Sequence, residues 1–236
     1  KKLAETKVEA WGGLGLAYFS TGVDSPAISI NREGSTLVIP NFRVGLDWDY
    51  SKKWRLGGSI GSSSGSTSDI GDVNTTGRDF NWFEGRVAAQ WFADFLKVKK
   101  GRLALDFGLQ LQSVPFFRRR PPNLLNEAYF DNDVFALQLG MYYQGKTKKH
   151  WNYEMYAYLL SPLSTGDAFD IESSFPLMFS FGGGIKKALT TGLSFGVFTN
   201  IHSFNLDSSY TNATQLVTSE LSLLLFSLEG RLIVHF

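Results

Sequence analysis

Hydrophobic and polar residues alternate one by one through most of this chain. The clearest run is the last, where Phe226, Leu228, Gly230, Leu232, Val234 and Phe236 share one face and Ser227, Glu229, Arg231, Ile233 and His235 the other. A period of two is a β-strand with one apolar and one mostly polar face. The first such segment spans Val8 to Phe19, with Ala10, Gly12, Leu14, Leu16 and Tyr18 against Glu9, Trp11, Gly13, Gly15 and Ala17. The second sets Phe42, Val44, Leu46, Trp48 and Tyr50 against Asn41, Arg43, Gly45, Asp47 and Asp49. Only Ser51, Lys52 and Lys53 separate it from the third, Trp54 to Ser62, so a tight hairpin is predicted with Asp49 facing Arg55. Further strands are predicted over 83–91, 103–112, 135–142, 151–159, 177–186 and 193–202, with another from Leu216. Between Leu223 and Phe226 the alternation slips, which predicts a β-bulge.

Long segments rich in Gly, Asp, Ser and Pro, at 20–35, 63–78, 115–133, 161–174 and 205–214, take turns with short Lys-bearing connections. The expectation is an all-β fold: a transmembrane up-and-down antiparallel β-barrel of about 10 strands, formed by 1–236 as a single domain with both termini at the short-turn end. Its backbone radius would be roughly 10 Å, from strands about 4.8 Å apart tilted near 40°. Arg, Gln and Tyr side chains would fill much of that bore, so a wide general porin is not expected.

The alternative is a soluble barrel or sandwich with the apolar ladder as its core. The distribution of lysine argues against it. All 13 lysines fall in the N-terminal segment or at the short turns, none in the middle of a strand on the polar face. A solvated sheet would use Lys freely, whereas a confined interior favours paired charges with Gln, Ser and Gly. The predicted interior network is Arg43, Asp47, Asp49, Arg55, Glu84, Arg86, Asp106, Glu154, Lys186, Glu229 and Arg231. No apolar run approaches the roughly 18 residues of a membrane helix, while 15% aromatics with 24 Gly suits a barrel with aromatic girdles.

The final strand, ending on Phe236 with apolar residues at alternate positions, resembles that of bacterial outer-membrane β-barrel proteins. Arg231 and Val234 stand where that family often has Gly and an aromatic. The resemblance implies residence in the bacterial outer membrane of a Gram-negative cell, with long loops extracellular and short turns and both termini periplasmic. It also implies lipid as a partner. The lysines of the short turns would lie near phospholipid phosphates, and Arg118, Arg119 and Arg120 on an outer loop could fork onto lipopolysaccharide phosphates or pair with loop acids. Trp48, Tyr50, Trp54, Trp91, Tyr143 and Trp151 would form the aromatic girdle at the short-turn end, and Phe19, Phe80, Trp82 and Phe116 the opposite one.

Small residues on the apolar face, Gly58, Gly85, Ala89, Gly183 and Gly230, are the remaining anomaly. Gly58, Gly85 and Ala89 lie on consecutive strands and would let a second copy approach closely, giving a homo-oligomer; relief of sheet curvature is the other reading.

For chemistry the sequence offers little. There is no cysteine, no metal-ligand spacing, and a net charge of +1 that predicts no nucleic acid partner. Omptin proteases are ten-stranded barrels that use a His and acidic residues in an outer groove, which singles out Asn200-Ile201-His202. Asn stands there in place of the Asp that would orient the His, and Ser203, the alternative nucleophile of a lipase, points to the opposite face. The expectation is a non-enzymatic barrel without cofactor or metal, in a structural or narrow-pore (porin-like) role for small solutes. The alternatives are a hydrolase of omptin or lipase type using His202, or a surface-binding adhesin.

Overall fold

In the computed structural model the alternating segments are ten long strands closed on themselves: β1 (Lys7–Ser25), β2 (Thr36–Asp49), β3 (Trp54–Ser66), β4 (Asp79–Trp91), β5 (Gly101–Arg119), β6 (Glu127–Lys146), β7 (Trp151–Thr165), β8 (Met178–Ala188), β9 (Leu193–Asn212) and β10 (Gln215–His235). The structure describes residues 7–25, 30–32, 36–66, 79–93, 97–98, 101–119, 127–147, 151–165, 172–174, 178–212 and 215–236. Short segments Ile30–Arg32, Lys97–Val98 and Glu172–Ser174 pair with β1, β5 and β9. Each long strand is antiparallel to its neighbours in sequence, and β10 pairs with both β9 and β1. That last pairing removes the sheet edge, so backbone N–H and C=O groups find partners around the whole ring. Lys7 and Phe236 come together at the short-turn end, where the backbones of Val8 and Phe236 exchange hydrogen bonds of 3.3 and 2.9 Å.

Parity decides which side chains face out. Leu14, Val44, Ile60, Val87, Leu109, Leu139, Leu159, Phe181, Val197 and Leu228, one on each strand, are all exposed on the outer wall. An apolar belt this continuous is far beyond the patches a water-soluble monomer exposes and matches a hydrocarbon surround.

Three expectations are corrected. No register shift occurs from Leu221 to Phe226, which pair in step with β9 and β1. The alternation slips there because the inner face itself turns apolar, with Leu223 and Leu225 buried inside. The irregularity lies between β6 and β7, where Ala136 faces Pro162 and Phe135 faces Ser164, leaving Leu163 as the extra residue. Pro162 has no N–H for the ladder, which is where a bulge is cheapest.

The strands also outrun their apolar alternation. β1 reaches Ser25, β9 reaches Asn212 and β10 starts at Gln215, so the expected loop at 205–214 is mostly strand. Ladder hydrogen bonding continues through Ser, Asn and Asp where no apolar face is required. Finally, Phe19 and Trp82 are buried inside the barrel and form no outer girdle. Phe19 shares the parity of Glu9 and Trp11, and Trp82 that of Glu84. The side chains of Phe80 and Phe116 lie outside the described residues.

Candidate functional site

The barrel interior is organised in layers along its axis. At the short-turn end Arg55 Nε donates to Asp49 Oδ1 at 2.7 Å, the pairing expected across the Ser51–Lys53 turn. Nearby, Lys186 Nζ lies 2.9 Å from Glu9 and 3.6 Å from Glu154. Glu9 also faces His235 Nδ1 at 3.3 Å, and Glu154 accepts a hydrogen bond from Tyr142 at 2.9 Å. These groups border an open vestibule of about 740 Å³, whose lining includes Lys7, Glu9, Arg55, Arg102, Glu154 and Lys186.

Deeper in, all but one of the remaining charges form two knots. In one, Arg43 Nη2 donates to Glu84 Oε2 at 3.0 Å while its Nε is 3.8 Å from Glu229. Glu229 takes further bonds from Arg231 Nε at 3.1 Å and Asn200 Nδ2 at 2.7 Å. The Arg231 guanidinium lies between the rings of Trp11 and Phe198, 4.1 Å from each centroid. In the other, Arg86 Nη2 donates to Asp106 at 3.0 and 3.1 Å, Gln90 Nε2 to the same carboxylate at 2.9 Å, and Arg86 Nε to Gln138 at 2.9 Å. Arg86 also stacks over the Tyr158 ring at 4.7 Å. Asp47 joins neither knot and accepts from Trp11 Nε1 at 3.1 Å. All eleven charged residues expected inside thus point inward, and glycines on the facing strands make room for them and for the large rings. A Cβ on Gly45 would run into the Trp11 indole.

Sequence reasoning missed the next layer. Ala17, Phe19, Ile39, Trp82, Val114, Val134, Ala136, Leu160, Met178, Phe204, Leu223 and Leu225 pack together as one buried apolar cluster inside the barrel, on the long-loop side of the charges. Every strand but β3 contributes, and there Gly65 leaves the space that Ile39 occupies. The signal was available. On β5, β6, β7, β8, β9 and β10 the polar face gives way to Val114, Val134, Leu160, Met178, Phe204 and Leu223 at unchanged parity.

His202 sits where cluster and charges meet. It is 2% exposed, its ring 6.0 Å from Trp82 and stacked at 6.2 Å on Phe204, with Nε2 3.6 Å from Glu84 Oε2. Asn200 does not orient it. The Asn200 amide donates to Ser227 at 3.0 Å and to Glu229. Ser203 is on the opposite face of β9. Among the described residues no group of three or more His, Asp or Glu is placed to hold a metal ion.

On the outer wall at the short-turn end, Trp48 meets Tyr50 edge-on at 5.3 Å and Trp54 stacks on Trp91 at 6.3 Å. Tyr143 and Tyr153 share a hydroxyl contact of 3.2 Å, and Lys187 Nζ lies 5.4 Å over the Trp151 ring. Gly58, Gly85 and Ala89 also face outward, with Gly58 opposite Val87, Ile60 opposite Gly85 and Leu56 opposite Ala89. A Cβ on Gly58 or Gly85 would find its nearest neighbours at 3.5 and 3.7 Å, ordinary contact, whereas one on Gly183 would strike the Glu154 carbonyl at 2.5 Å. Local packing therefore accounts for Gly183 and leaves Gly58 and Gly85 unexplained. Arg118 and Arg119 pair by backbone with Ala128 and Glu127 on β6, and Arg120 lies outside the described residues.

No protein-family model matches the sequence, and no curated protein does. Solved structures do. The outer membrane protease OmpT of Escherichia coli superposes with a TM-score of 0.64 at 11% identity, over 100% of this chain and 99% of that one. An outer membrane channel from Pseudomonas putida F1 gives 0.45 at 10% identity over 96% and 95%. The β domain of the Bordetella autotransporter BrkA gives 0.43 at 13% over 95% and 99%. The architecture is shared where the sequence is not, and the chain has the fold of the bacterial outer-membrane β-barrels.

Proposed function

We propose that this protein is a structural barrel of the bacterial outer membrane whose bore is shut, with neither an open pore nor a catalytic site. The observation that carries the reading is the apolar cluster from Ala17 to Leu225, drawn from nine strands across the interior. Hydrated ions and polar solutes would have to shed water to pass it, at a cost of several kcal/mol for each unpaired polar group. The paired charges beneath add a second obstacle. Buried ion pairs contribute little net stability against an apolar core of the same volume. Their use here is to fill the bore with groups of fixed geometry.

Against hydrolysis stand the burial of His202 under Trp82 and Phe204 and the engagement of Asn200 elsewhere. A substrate carbonyl has no approach to that imidazole, and a general base must come within hydrogen-bond reach of the proton it removes. The shared fold with a protease does not alter this, since function belongs to sites and not to folds.

In this reading the long loops face outward and the short turns face the periplasm, where Lys52, Lys53 and Lys187 beside the Trp and Tyr rim suit a phospholipid headgroup layer. Arg118 to Arg120 would meet lipopolysaccharide at the other face. The outward patch of Gly58, Gly85 and Ala89 is the contact of a homo-oligomer, since small residues let two membrane walls approach. Proteoliposome swelling with small sugars and amino acids, run beside protease and lipase assays, tests the proposal. No swelling and no hydrolysis is the expected result; hydrolysis abolished by His202→Ala would replace it with the enzyme.

A further inference from the structure

Beneath the apolar cluster the barrel holds buried polar atoms that no protein group bonds. Neither ring nitrogen of the buried His202 has a hydrogen-bond partner in the protein, and the same is true of Arg43 Nε and Gln90 Oε1. Those three residues line one internal cavity of about 60 Å³, together with Glu84, Arg86, Tyr158 and Ser180. An unmade hydrogen bond on a buried group costs about 1–3 kcal/mol. Native proteins commonly relieve that cost with ordered water. A volume on this scale, lined by polar atoms, has room for a few molecules.

The lining also says what the occupant is. Donors and acceptors are mixed, and each arginine of the lining, Arg43, Arg55, Arg86 and Arg231, already has a carboxylate partner, so an ion of neither sign is held there in preference to water. Water both donates and accepts and carries no charge. The supply route follows from the two ends of the cavity. Arg55 and Glu154 line both this cavity and the 740 Å³ vestibule, so a single layer of polar side chains separates them. On the other side stand Trp82 and Phe204, 5.6 Å apart.

We infer that this cavity is a bound-water site that brings solvent to His202 from the short-turn end alone. The inference rests on the closed-bore reading and adds a hydrated, one-sided interior to it. It makes the barrel a blind well rather than a plugged rod. The imidazole at its floor exchanges with the solvent of one compartment and is screened from the other.

The chain has no cysteine, and Ser180 lines the cavity opposite His202 in the β8–β9 ladder, so Ser180→Cys puts one reporter thiol in the well with a one-atom change. The protein is oriented in liposomes, Ag⁺ is added to one face, and thiols left unblocked are counted with a maleimide after unfolding. Ag⁺ at the short-turn face is expected to block the thiol at least an order of magnitude faster than Ag⁺ at the long-loop face. Adding Trp82→Ala should bring the two rates together. Equal rates from both faces in the single variant overturn the one-sided route. A thiol reached from neither face overturns the water site, while a silent bilayer recording would leave the closed bore standing.

Correct folding of the variant is read from heat-modifiable gel migration. Should it not fold, the unaltered protein answers directly. With ¹⁵N-labelled histidine, and the resonance assigned by its loss in His202→Gln, magnetisation transfer from water to the His202 ring is expected. Its absence contradicts the proposal.

Discussion

Arg86 on β4 and Asp106 on the neighbouring β5 pair inside the barrel, the arginine Nη2 3.0 and 3.1 Å from the two carboxylate oxygens, and Asp106 is 0% exposed. Removing the cation alone strands a buried carboxylate. Arg86→Met should therefore destabilise the barrel by about 3–5 kcal/mol. Arg86→Met with Asp106→Leu should recover part of that, leaving a deficit of about 2 kcal/mol from the unpaired amides of Gln90 and Gln138. Urea unfolding from lipid vesicles, followed by tryptophan fluorescence, measures both. A double variant no more stable than the single would show that the charge pair is not what holds this layer.

Two glycines at similar depth should respond oppositely to an added methyl group. Gly45 faces inward, and a Cβ there collides with Trp11, whose indole is held by Asp47. Gly45→Ala should cost about 1–3 kcal/mol, as overpacking does. Gly58 faces outward with its nearest neighbours at 3.5 and 3.8 Å. Gly58→Ala should be neutral or stabilising by up to about 1 kcal/mol, through the loss of backbone freedom in the unfolded chain. The same unfolding assay, run at a protein-to-lipid ratio low enough to keep the barrel monomeric, decides, and a large loss in Gly58→Ala there would mean that the wall at Gly58 is tightly packed within the single barrel.

The mass of the detergent-solubilised protein, corrected for bound detergent, tests the outward patch of Gly58, Gly85 and Ala89. An oligomer that falls to monomer in Gly85→Trp is expected. A monomeric parent defeats the contact, and so does an oligomer that the Trp leaves unchanged.

How far the sequence could be read follows from what alternation encodes. Parity alone gives the inward facing of Arg43, Glu84, Asp106 and Glu229, because a one-residue slip would put each of them in lipid. The Asp49–Arg55 pair was legible too, since a three-residue turn sets the register of its hairpin. Phe19 and Trp82 were misread for a physical reason. Near strand ends an aromatic suits either a lipid interface or a sealed bore, and only the parity count separates the two. The slip at Leu223 had the same origin: two apolar faces back to back erase the alternation without any break in the ladder. The polar tails of β1 and β9 left no signature, because strand pairing beyond an apolar environment asks nothing of the side chains. The meeting of His202 with Glu84 and Trp82 was beyond reach. It joins β9 to β4 across the barrel, and no local pattern encodes contacts across a closed interior.

Single-molecule conductance in planar bilayers shows whether the apolar cluster shuts the bore. The parent protein is predicted to insert and stay silent at physiological salt. Trp82→Ala with Phe204→Ala, which removes the two largest rings over His202, is predicted to give discrete ion-conducting steps. Stable conductance steps in the parent, unchanged in the double variant, would mean that the cluster does not shut the bore.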